Sequence, residues 1–351
     1  MFDSYHLEAR HSVSFLSNCF VYFLAVLAGL FVSVLILIFS GLTVSNLWNE
    51  FVLQLLTNPK NLSAVIVQST PLILAGLAAA IAFKARFWNI GIEGQIIFGS
   101  IAATFIAIND IGPPSTRFLL MGLASAFGGV IWIALPVFLK IRLQINEIIS
   151  TLLLNYIAFN FLLHLLYGSW KDPETGFPSS QLYNKQELFD SIGWYEVNTS
   201  IFLVIALIIL AHLIFYGSRF GLLTKFLHAN LDMARSMGIK VTLSISLIAL
   251  ASGAIAGVCG LAISAGIESR MTQSFFVGYG FSGILIAFLA RENPLGVVVV
   301  ALLFSMLMIG GQTLQVFYQV PYAMVQLVQA IIVMTVAGSE FFVRYTIRRR
   351  R

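Results

Sequence analysis

The feature that most constrains this fold is a series of apolar runs, each long enough to cross a lipid bilayer as a helix. A crossing needs about 20 mostly apolar residues, because the hydrocarbon core is about 30 Å thick and a helix rises about 1.5 Å per residue. Hydrophobic residues make up 59% of the 351 residues and charged residues only 10%, whereas an ordinary soluble domain has roughly 25% charged residues. The sequence therefore predicts an all-α, polytopic membrane protein.

Ten segments are predicted to cross the membrane. In chain order they are 20–42, 62–82, 88–108, 118–139, 146–167, 199–217, 241–265, 276–290, 295–313 and 322–342. The run at 276–290 is short and opens in glycines, so it is predicted to cross either as a complete or as a broken helix. An N-terminal segment (1–19), a transmembrane domain (20–342) and a basic tail (343–351) are the predicted parts of the chain.

The basic residues predict the orientation, because Lys and Arg accumulate in cytoplasmic loops. With the N-terminus inside and ten crossings, fifteen of the twenty Lys and Arg residues are cytoplasmic. They are Arg10, Lys84, Arg86, Lys140, Arg142, Arg219, Lys225, Arg235, Lys240, Arg291, Arg344, Arg348, Arg349, Arg350 and Arg351. Both termini and the link 218–240 are then predicted inside, and the polar loop 169–198 outside.

One stretch, 87–95, concentrates polar residues and glycines inside otherwise membrane-like sequence; it reads Phe-Trp-Asn-Ile-Gly-Ile-Glu-Gly-Gln. A carboxylate at membrane depth is costly unless it finds a partner or water, so Glu93 marks a candidate functional site. Gly91 and Gly94 allow the backbone to bend or pack closely. A structural alternative stays open, in which Asn89 caps a helix and Glu93 faces headgroup water from the first turn.

A weak internal symmetry relates the two halves of the chain. Gly91-x-x-Gly94 opens the third crossing and Gly280-x-x-Gly283 opens the eighth, each at the corresponding place of a five-crossing half. Because five is odd, the halves would be inserted in opposite senses. Paired, glycine-interrupted segments in two inverted five-helix halves indicate a solute path near the bilayer midplane.

Several kinds of chemistry lack their sequence signatures. No Gly-x-x-x-x-Gly-Lys-Ser/Thr loop or His-Glu-x-x-His motif is present, and the five histidines and two cysteines are scattered. We therefore expect no catalytic residue, metal or cofactor in this chain. The scattered basic residues do not form a nucleic-acid-binding face. These features favour a translocation path without its own energy source.

The link 218–240 contains a motif that suggests where the energy comes from. Asp232-Met233-Ala234-Arg235-Ser236-Met237-Gly238 has the spacing of the Glu-Ala-Ala-x-x-x-Gly loop of ATP-binding-cassette (ABC) permeases, with Asp for Glu and Met for the first Ala. Such a loop needs a short helix, small residues for docking and a terminating glycine. The alternative interpretation is a solvated loop that carries positive-inside charges.

Further stretches resemble the permeases of nucleoside and simple-sugar uptake systems, in the branched-chain amino acid and ribose permease superfamily. In family order over about residues 62–340 they are 87–95, 146–158, 230–239, 252–257, 278–284, 293–296 and 301–304. Trp88, between Phe87 and Asn89, departs from the commonest Phe-Asn-Ile-Gly form. The resemblance implies a permease of a bacterial ABC importer, and the expected solute is a nucleoside. The alternatives are a simple sugar such as ribose or galactose, or less readily ion-coupled secondary transport.

The resemblance also implies partners and sites. The expected partners are an ABC ATPase, a second, paralogous permease in a heterodimer, a substrate-binding lipoprotein or periplasmic protein, and the lipid of the bacterial inner membrane. The residues expected to line or gate the path are Phe87, Trp88, Asn89, Gly91, Glu93, Gly94, Gln95, Asn146, Glu147, Asn155, Gly278, Gly280 and Gly283. Those expected to couple to the ATPase are Asp232, Ala234, Arg235 and Gly238. The turn 291–294 is either a second ATPase contact or a corner between helices.

Overall fold

The structure is a computed structural model that describes residues 5–9, 15–273 and 278–349. Its helices are α1 Phe15–Phe39, α2 Val44–Trp48, α3 Leu55–Thr57, α4 Pro59–Lys84, α5 Ile92–Ile108, α6 Pro114–Leu143, α7 Glu147–Tyr167, α8 Ser200–Gly217, α9 Arg219–Ala229, α10 Leu231–Ser236, α11 Val241–Ile263, α12 Tyr279–Leu289, α13 Pro294–Tyr318 and α14 Tyr322–Arg344. Two π-helical stretches, Asn49–Gln54 and Ser264–Glu268, and a 3-10 turn, Lys185–Glu187, complete the helical structure.

The all-α, membrane-spanning class predicted from the sequence is confirmed. Within the described residues, seven helices are long and apolar enough to cross a bilayer: α1, α4, α6, α7, α8, α11 and α13. Three shorter apolar helices, Ile92–Ile108, Tyr279–Leu289 and Ala323–Ser339, coincide with the remaining predicted crossings. Residues 276 and 277, where the eighth predicted crossing begins, lie outside the described residues. Between the first two predicted crossings lie α2, a π-helical stretch, α3 and the first residues of α4.

One small sheet was not predicted. Strands β1 (Tyr5–Ala9) and β2 (Tyr345–Arg349) pair antiparallel, with Tyr5 opposite Arg349 and Ala9 opposite Tyr345. Within the described residues, part of the predicted N-terminal segment is thus paired with part of the basic tail. Five-residue strands with no alternation against a core carry too little local signal to be recognised in the sequence.

The helix starts follow local sequence signals. Proline occupies the first position of α4, α6 and α13, where its missing N–H costs nothing and its fixed φ suits the helix. The Asn146 side chain accepts a hydrogen bond from the Ile148 N–H at the start of α7. These positions agree with the predicted crossings to within a few residues.

The chain divides into two compact units that are not the two consecutive halves of the predicted repeat. One unit contains the described parts of 1–62 and 306–351. There α1 packs on α14, and Leu37, Leu314, Val328 and Ile332 belong to its core. The inverted five-helix repeat stays a prediction, because the compact units follow packing between distant segments and not sequence order.

The other unit, Ser63–Ser305, is organised around the crossing of α5, α6 and α11. A Cβ placed on Gly129 would lie 2.0 Å from the Gly253 carbonyl oxygen, and one on Gly257 would lie 2.0 Å from the Ser125 oxygen. Glycine therefore lets the helix backbones touch, which is how helices gain packing energy in lipid. The small residues of α11 thus permit close packing against α6.

Candidate functional site

The stretch 87–95 folds as a short irregular segment, 87–91, followed by the first turn of α5. Asn89 lies fully buried in this segment. Its side chain exchanges two hydrogen bonds with Gln95, of 3.0 and 2.8 Å, and donates a third, of 3.1 Å, to the Ser252 hydroxyl. Ser252 in turn donates to the Ala78 carbonyl, over 2.7 Å. A polar network therefore links the start of α5 to α11 and α4.

The N-terminus of α5 is capped by a side chain from another helix. Asn155, in the body of α7 and 1% exposed, accepts a hydrogen bond from the Gly94 N–H over 2.8 Å. The same amide donates to the Ile90 carbonyl over 2.9 Å. The Asn155 amide thus satisfies one N–H in the first turn of α5 and one carbonyl of the irregular segment.

Glu93 caps the N-terminus of a second helix, α12. Its carboxylate is 1% exposed and accepts hydrogen bonds from the N–H groups of Gly278 and Gly280, the first over 3.1 Å. A carboxylate at this position is stabilised by the unpaired N–H groups and by the positive end of the helix dipole. Gly280 lies so close that a Cβ there would be 2.4 Å from the Glu93 nitrogen. Gly278, with φ of 88°, has the left-handed conformation that favours glycine.

Helices α5 and α12 are too short to cross a bilayer alone. The 11 residues of α12 and the 17 of α5 span about 16 and 25 Å, less than the hydrocarbon core of about 30 Å. Whether the 276–290 segment crosses as a complete or as a broken helix stays a prediction, because residues 274–277, directly before α12, lie outside the described residues. The starts of both predicted glycine motifs therefore meet at Glu93.

A second polar group joins α6 and α7 beside this site. Glu147, at the start of α7, pairs with Lys140 of α6 and accepts a weak, 3.4 Å hydrogen bond from the Trp88 N–H. Phe87 is fully buried, and the Lys140 ammonium lies 5.1 Å from its ring centroid. The Trp88 ring, by contrast, is 39% exposed and stacks on Phe288.

The predicted path residues are thus brought together, and most of them are closed to solvent. Asn89 bonds to Gln95, Asn155 to the start of α5 and Glu93 to the start of α12, whereas Asn146 is exposed and caps α7. The predicted alternative was partly right, since Glu93 does occupy the first turn of α5. It faces the N-terminus of α12 and not headgroup water. That these residues line a solute path stays a prediction.

Sequence reasoning did not identify four residues that complete the network. Ser252 and Thr151 bond the irregular segment, Lys140 pairs with Glu147, and Gln68 donates to the Tyr279 hydroxyl over 2.6 Å. Only Gln68 carried a signal, because it is an amide inside an apolar run. Among the described residues, no group of three or more His, Cys, Asp or Glu side chains is placed to hold a metal.

The link 218–240 folds into two short helices, α9 and α10. Asn230 caps α10 by accepting hydrogen bonds from the N–H groups of Asp232 and Met233. Gly238, with φ of 78°, follows the helix end, and its N–H donates to the Arg235 carbonyl. Ala234 is buried. The predicted short, glycine-terminated helix is therefore present.

The turn 291–294 packs on this link. Arg291 and Glu292 both have left-handed φ values, of 51° and 59°. The Glu292 carboxylate lies 3.7 Å from His228 Nδ1, at the end of α9. The turn connects α12 to α13, as the corner alternative expects, and the ATPase-contact alternative stays a prediction.

Comparison with known proteins identifies the family. Residues 61–337 match the family described as branched-chain amino acid transport system / permease component. The glucose ABC transporter permease protein TsgB13 of Haloferax volcanii is 31% identical over 92% of this chain and 88% of its own length. The guanosine ABC transporter permease protein NupP of Bacillus subtilis is 30% identical over 92% of this chain and 94% of its own length. The nucleoside ABC transporter permease protein NupB of Lactococcus lactis is 27% identical over 75% and 76%. The chain therefore belongs to the family of branched-chain amino acid transport system permease components, and it is a multi-pass membrane transport protein.

Proposed function

We propose that this chain is the permease subunit of an ABC importer and that it moves a nucleoside into the cell, while a separate subunit hydrolyses ATP. The observation that carries this proposal is the form of α10. It is a short helix, capped by Asn230 and ended by Gly238, with Met233 and Met237 half exposed. The chain has no nucleotide-binding loop of its own, so a docked partner would have to supply the energy.

The proposed mechanism involves no covalent chemistry in this chain. A binding protein would deliver the solute to the outer face, and closure of the ATPase would move α9 and α10. The bundle would then switch between outward and inward openings around the residues near Glu93. A cavity of about 360 Å³, lined by Phe189, Tyr195, Asn198 and Gly266, borders the loop predicted to lie outside and supports a solute vestibule on that face.

The nucleoside assignment rests on relatives. NupP and NupB are described as guanosine and nucleoside permeases, and TsgB13 as a glucose permease. Uptake of radiolabelled guanosine, glucose and leucine by cells with and without this chain tests the choice. Guanosine uptake is expected to depend on the chain. A dependence of glucose uptake alone would select the sugar alternative, and uptake driven by an ion gradient without ATP would reject an ABC importer.

The coupling role has its own test, which is removal of 232–238. We expect this deletion to abolish co-purification with the ATPase and solute uptake. Glu174→Ala, at an exposed position in the loop predicted to lie on the other face, is the control and should retain both. Unchanged complex formation and uptake after the deletion would reject coupling through Asp232, Ala234 and Arg235.

We further propose that the protein lies in the bacterial inner membrane with both termini in the cytoplasm, beside a second, paralogous permease. NupP and NupQ of Bacillus subtilis, both similar to this chain, are two guanosine permease proteins of one organism. The pairing of β1 with β2 supports termini on the same side. Labelling of a cysteine added after Arg351 by an impermeant thiol reagent in intact cells would contradict this orientation.

A further inference from the structure

The end of α9 is held by a side chain from the end of α4. Arg86 Nε donates to the His228 carbonyl over 2.7 Å, and its Nη2 donates to the Ala229 carbonyl over 2.9 Å. The last carbonyls of a helix have no partners within it, and a cation there is favoured by the helix dipole. Arg86 therefore supplies the C-terminal cap of α9 with both arms of its guanidinium.

The same turn of α9 has a second anchor on a different element. His228 Nδ1 lies 3.7 Å from the carboxylate of Glu292, in the turn after α12, and the two form an ion pair when His228 is protonated. Burial raises the pKa of Glu292, and His228 and Lys84 oppose that effect by lowering it. The end of α9 is thus attached to both α4 and α12.

These two anchors lead to the same place in the polar site. Arg86 is followed directly by the irregular segment 87–91 and then by Glu93, whose carboxylate caps α12. Helix α12 in turn ends at the turn that carries Glu292. The contacts close a ring that runs from α9 through Arg86 to Glu93, along α12 to Glu292, and back to His228.

We propose that this ring transmits movement of the link to the polar site, with Arg86 as its positioning residue. The inference rests on the proposed function, in which ATPase closure moves α9 and α10. Displacement of α9 must either carry Glu93 and α12 with it or break one of the two anchors. Arg86 is thereby assigned to coupling, in addition to its local role as a helix cap.

The transport test compares Arg86→Ala with wild type in the complete, reconstituted complex, with radiolabelled guanosine as the probe. We expect the guanosine moved per ATP hydrolysed to fall about tenfold, a typical size for coupling between sites, while ATPase co-purification is unchanged. Arg86→Lys should give an intermediate ratio of guanosine moved to ATP hydrolysed, because lysine keeps the charge but cannot donate to both carbonyls in the geometry of the guanidinium group. Arg142→Ala, at the exposed end of α6, is the matched control.

A double variant tests the ring itself. If Arg86 and Glu292 belong to one ring, Arg86→Ala and Glu292→Gln should be strongly non-additive, since either change alone already opens it. If the loss of guanosine moved per ATP in the double variant equals the product of the losses in the two single variants, the proposed ring is wrong. A wild-type complex that moves no guanosine with ATP would reject the nucleoside proposal, and the ring would then be judged by the following measurement.

Hydrogen exchange on the purified full chain tests the ring without transport. In Arg86→Ala we expect faster exchange of the Asn230 amide, at the end of α9. We also expect faster exchange of the Gly280 amide, which donates a hydrogen bond to Glu93 at the far side of the ring. A change confined to Asn230 would show that Arg86 is only a local cap and would overturn the proposal. Arg142→Ala should leave both amides unchanged.

Discussion

Replacement of Glu93 is the perturbation that tests the polar site most directly. The carboxylate is buried and holds the first N–H groups of α12. Glu93→Gln keeps the shape but leaves one acceptor oxygen and turns an NH₂ group toward a donor. Glu93→Ala removes both acceptors. We therefore expect the stability of the site to decrease from wild type to glutamine to alanine.

The size of each loss follows from the number of unsatisfied donors. A buried N–H without a partner costs about 1–3 kcal/mol, so one donor lost in Glu93→Gln costs about that amount. The two donors lost in Glu93→Ala cost about 2–6 kcal/mol by the same measure. Both variants also remove the buried carboxylate and recover part of its desolvation cost, so each net loss lies in the lower part of its range, which is about 2–4 kcal/mol for alanine.

A buried cysteine provides the assay. Cys259 of α11 is fully buried and hydrogen-bonded to the Pro71 carbonyl. In a Cys19→Ser background it is the sole thiol of the chain, so its reaction with a maleimide reports opening of this unit. Where reclosing is faster than labelling, a loss of 2–4 kcal/mol raises the labelling rate by about 30-fold to 900-fold.

One result would refute the reasoning. If Glu93→Ala labels Cys259 no faster than wild type, the carboxylate does not hold α12 in place. Glu174→Ala, at an exposed position in the loop after α7, controls for the loss of a glutamate as such. A Glu93→Gln variant less stable than Glu93→Ala would also contradict the argument, because the count of satisfied donors predicts the opposite order.

Two further predictions test the packing and the loop. Gly129→Ala should destabilise the protein by about 1–3 kcal/mol through overpacking, since its Cβ would lie 2.0 Å from the Gly253 oxygen. Gly122→Ala on the same helix meets nothing closer than 3.8 Å and should be neutral or stabilising. The rate of Cys259 labelling compares the two variants. A hydrogen bond from Thr175 is the main cause that lowers the pKa of Asp172 below its usual 3.8, and one from the Glu174 N–H adds to it. The ionised Asp172 side chain therefore stabilises the loop at pH values above 3.8, and this stabilisation is lost as the pH falls through the lower pKa of the folded protein. Near neutral pH the Glu174 amide should be better protected from hydrogen exchange in the wild-type protein than in Asp172→Asn. In strong acid this difference in protection should disappear.

Local signals predicted most of the helices in the fold. Asn146 begins the predicted fifth crossing and caps α7, and Gly238 ends the short helix that the link motif predicts, whereas Pro59 and Pro114 begin helices three or four residues before the predicted crossings 62–82 and 118–139. Such signals work because capping and the special φ values of proline and glycine act within one turn of the chain. The close packing of α11 was likewise readable, since small residues alone permit backbones to touch.

Contacts between distant segments were not readable in the same way. Glu93 and Gly280 are 187 residues apart, and nothing in either motif alone specifies that one caps the other. The grouping of the two chain ends into one compact unit has the same cause, because helix packing in lipid depends on shape and not on order in the chain. The candidate site was therefore found as a set of residues, while their bonding partners were not.

The geometry also limits how the predicted path residues can serve a solute. Asn155 occupies the N–H of Gly94 in the first turn of α5, and Glu93 occupies those of Gly278 and Gly280 at the start of α12, so these three N–H groups are engaged while the caps are in place. A solute hydroxyl can bind there only if it replaces a cap, or if the cap moves with its helix. In the described conformation Asn89, Glu93 and Asn155 are thus buried and hydrogen-bonded to other parts of the protein. Their predicted role in the path therefore requires a second arrangement, in which the solute has displaced a cap or a cap has moved with its helix.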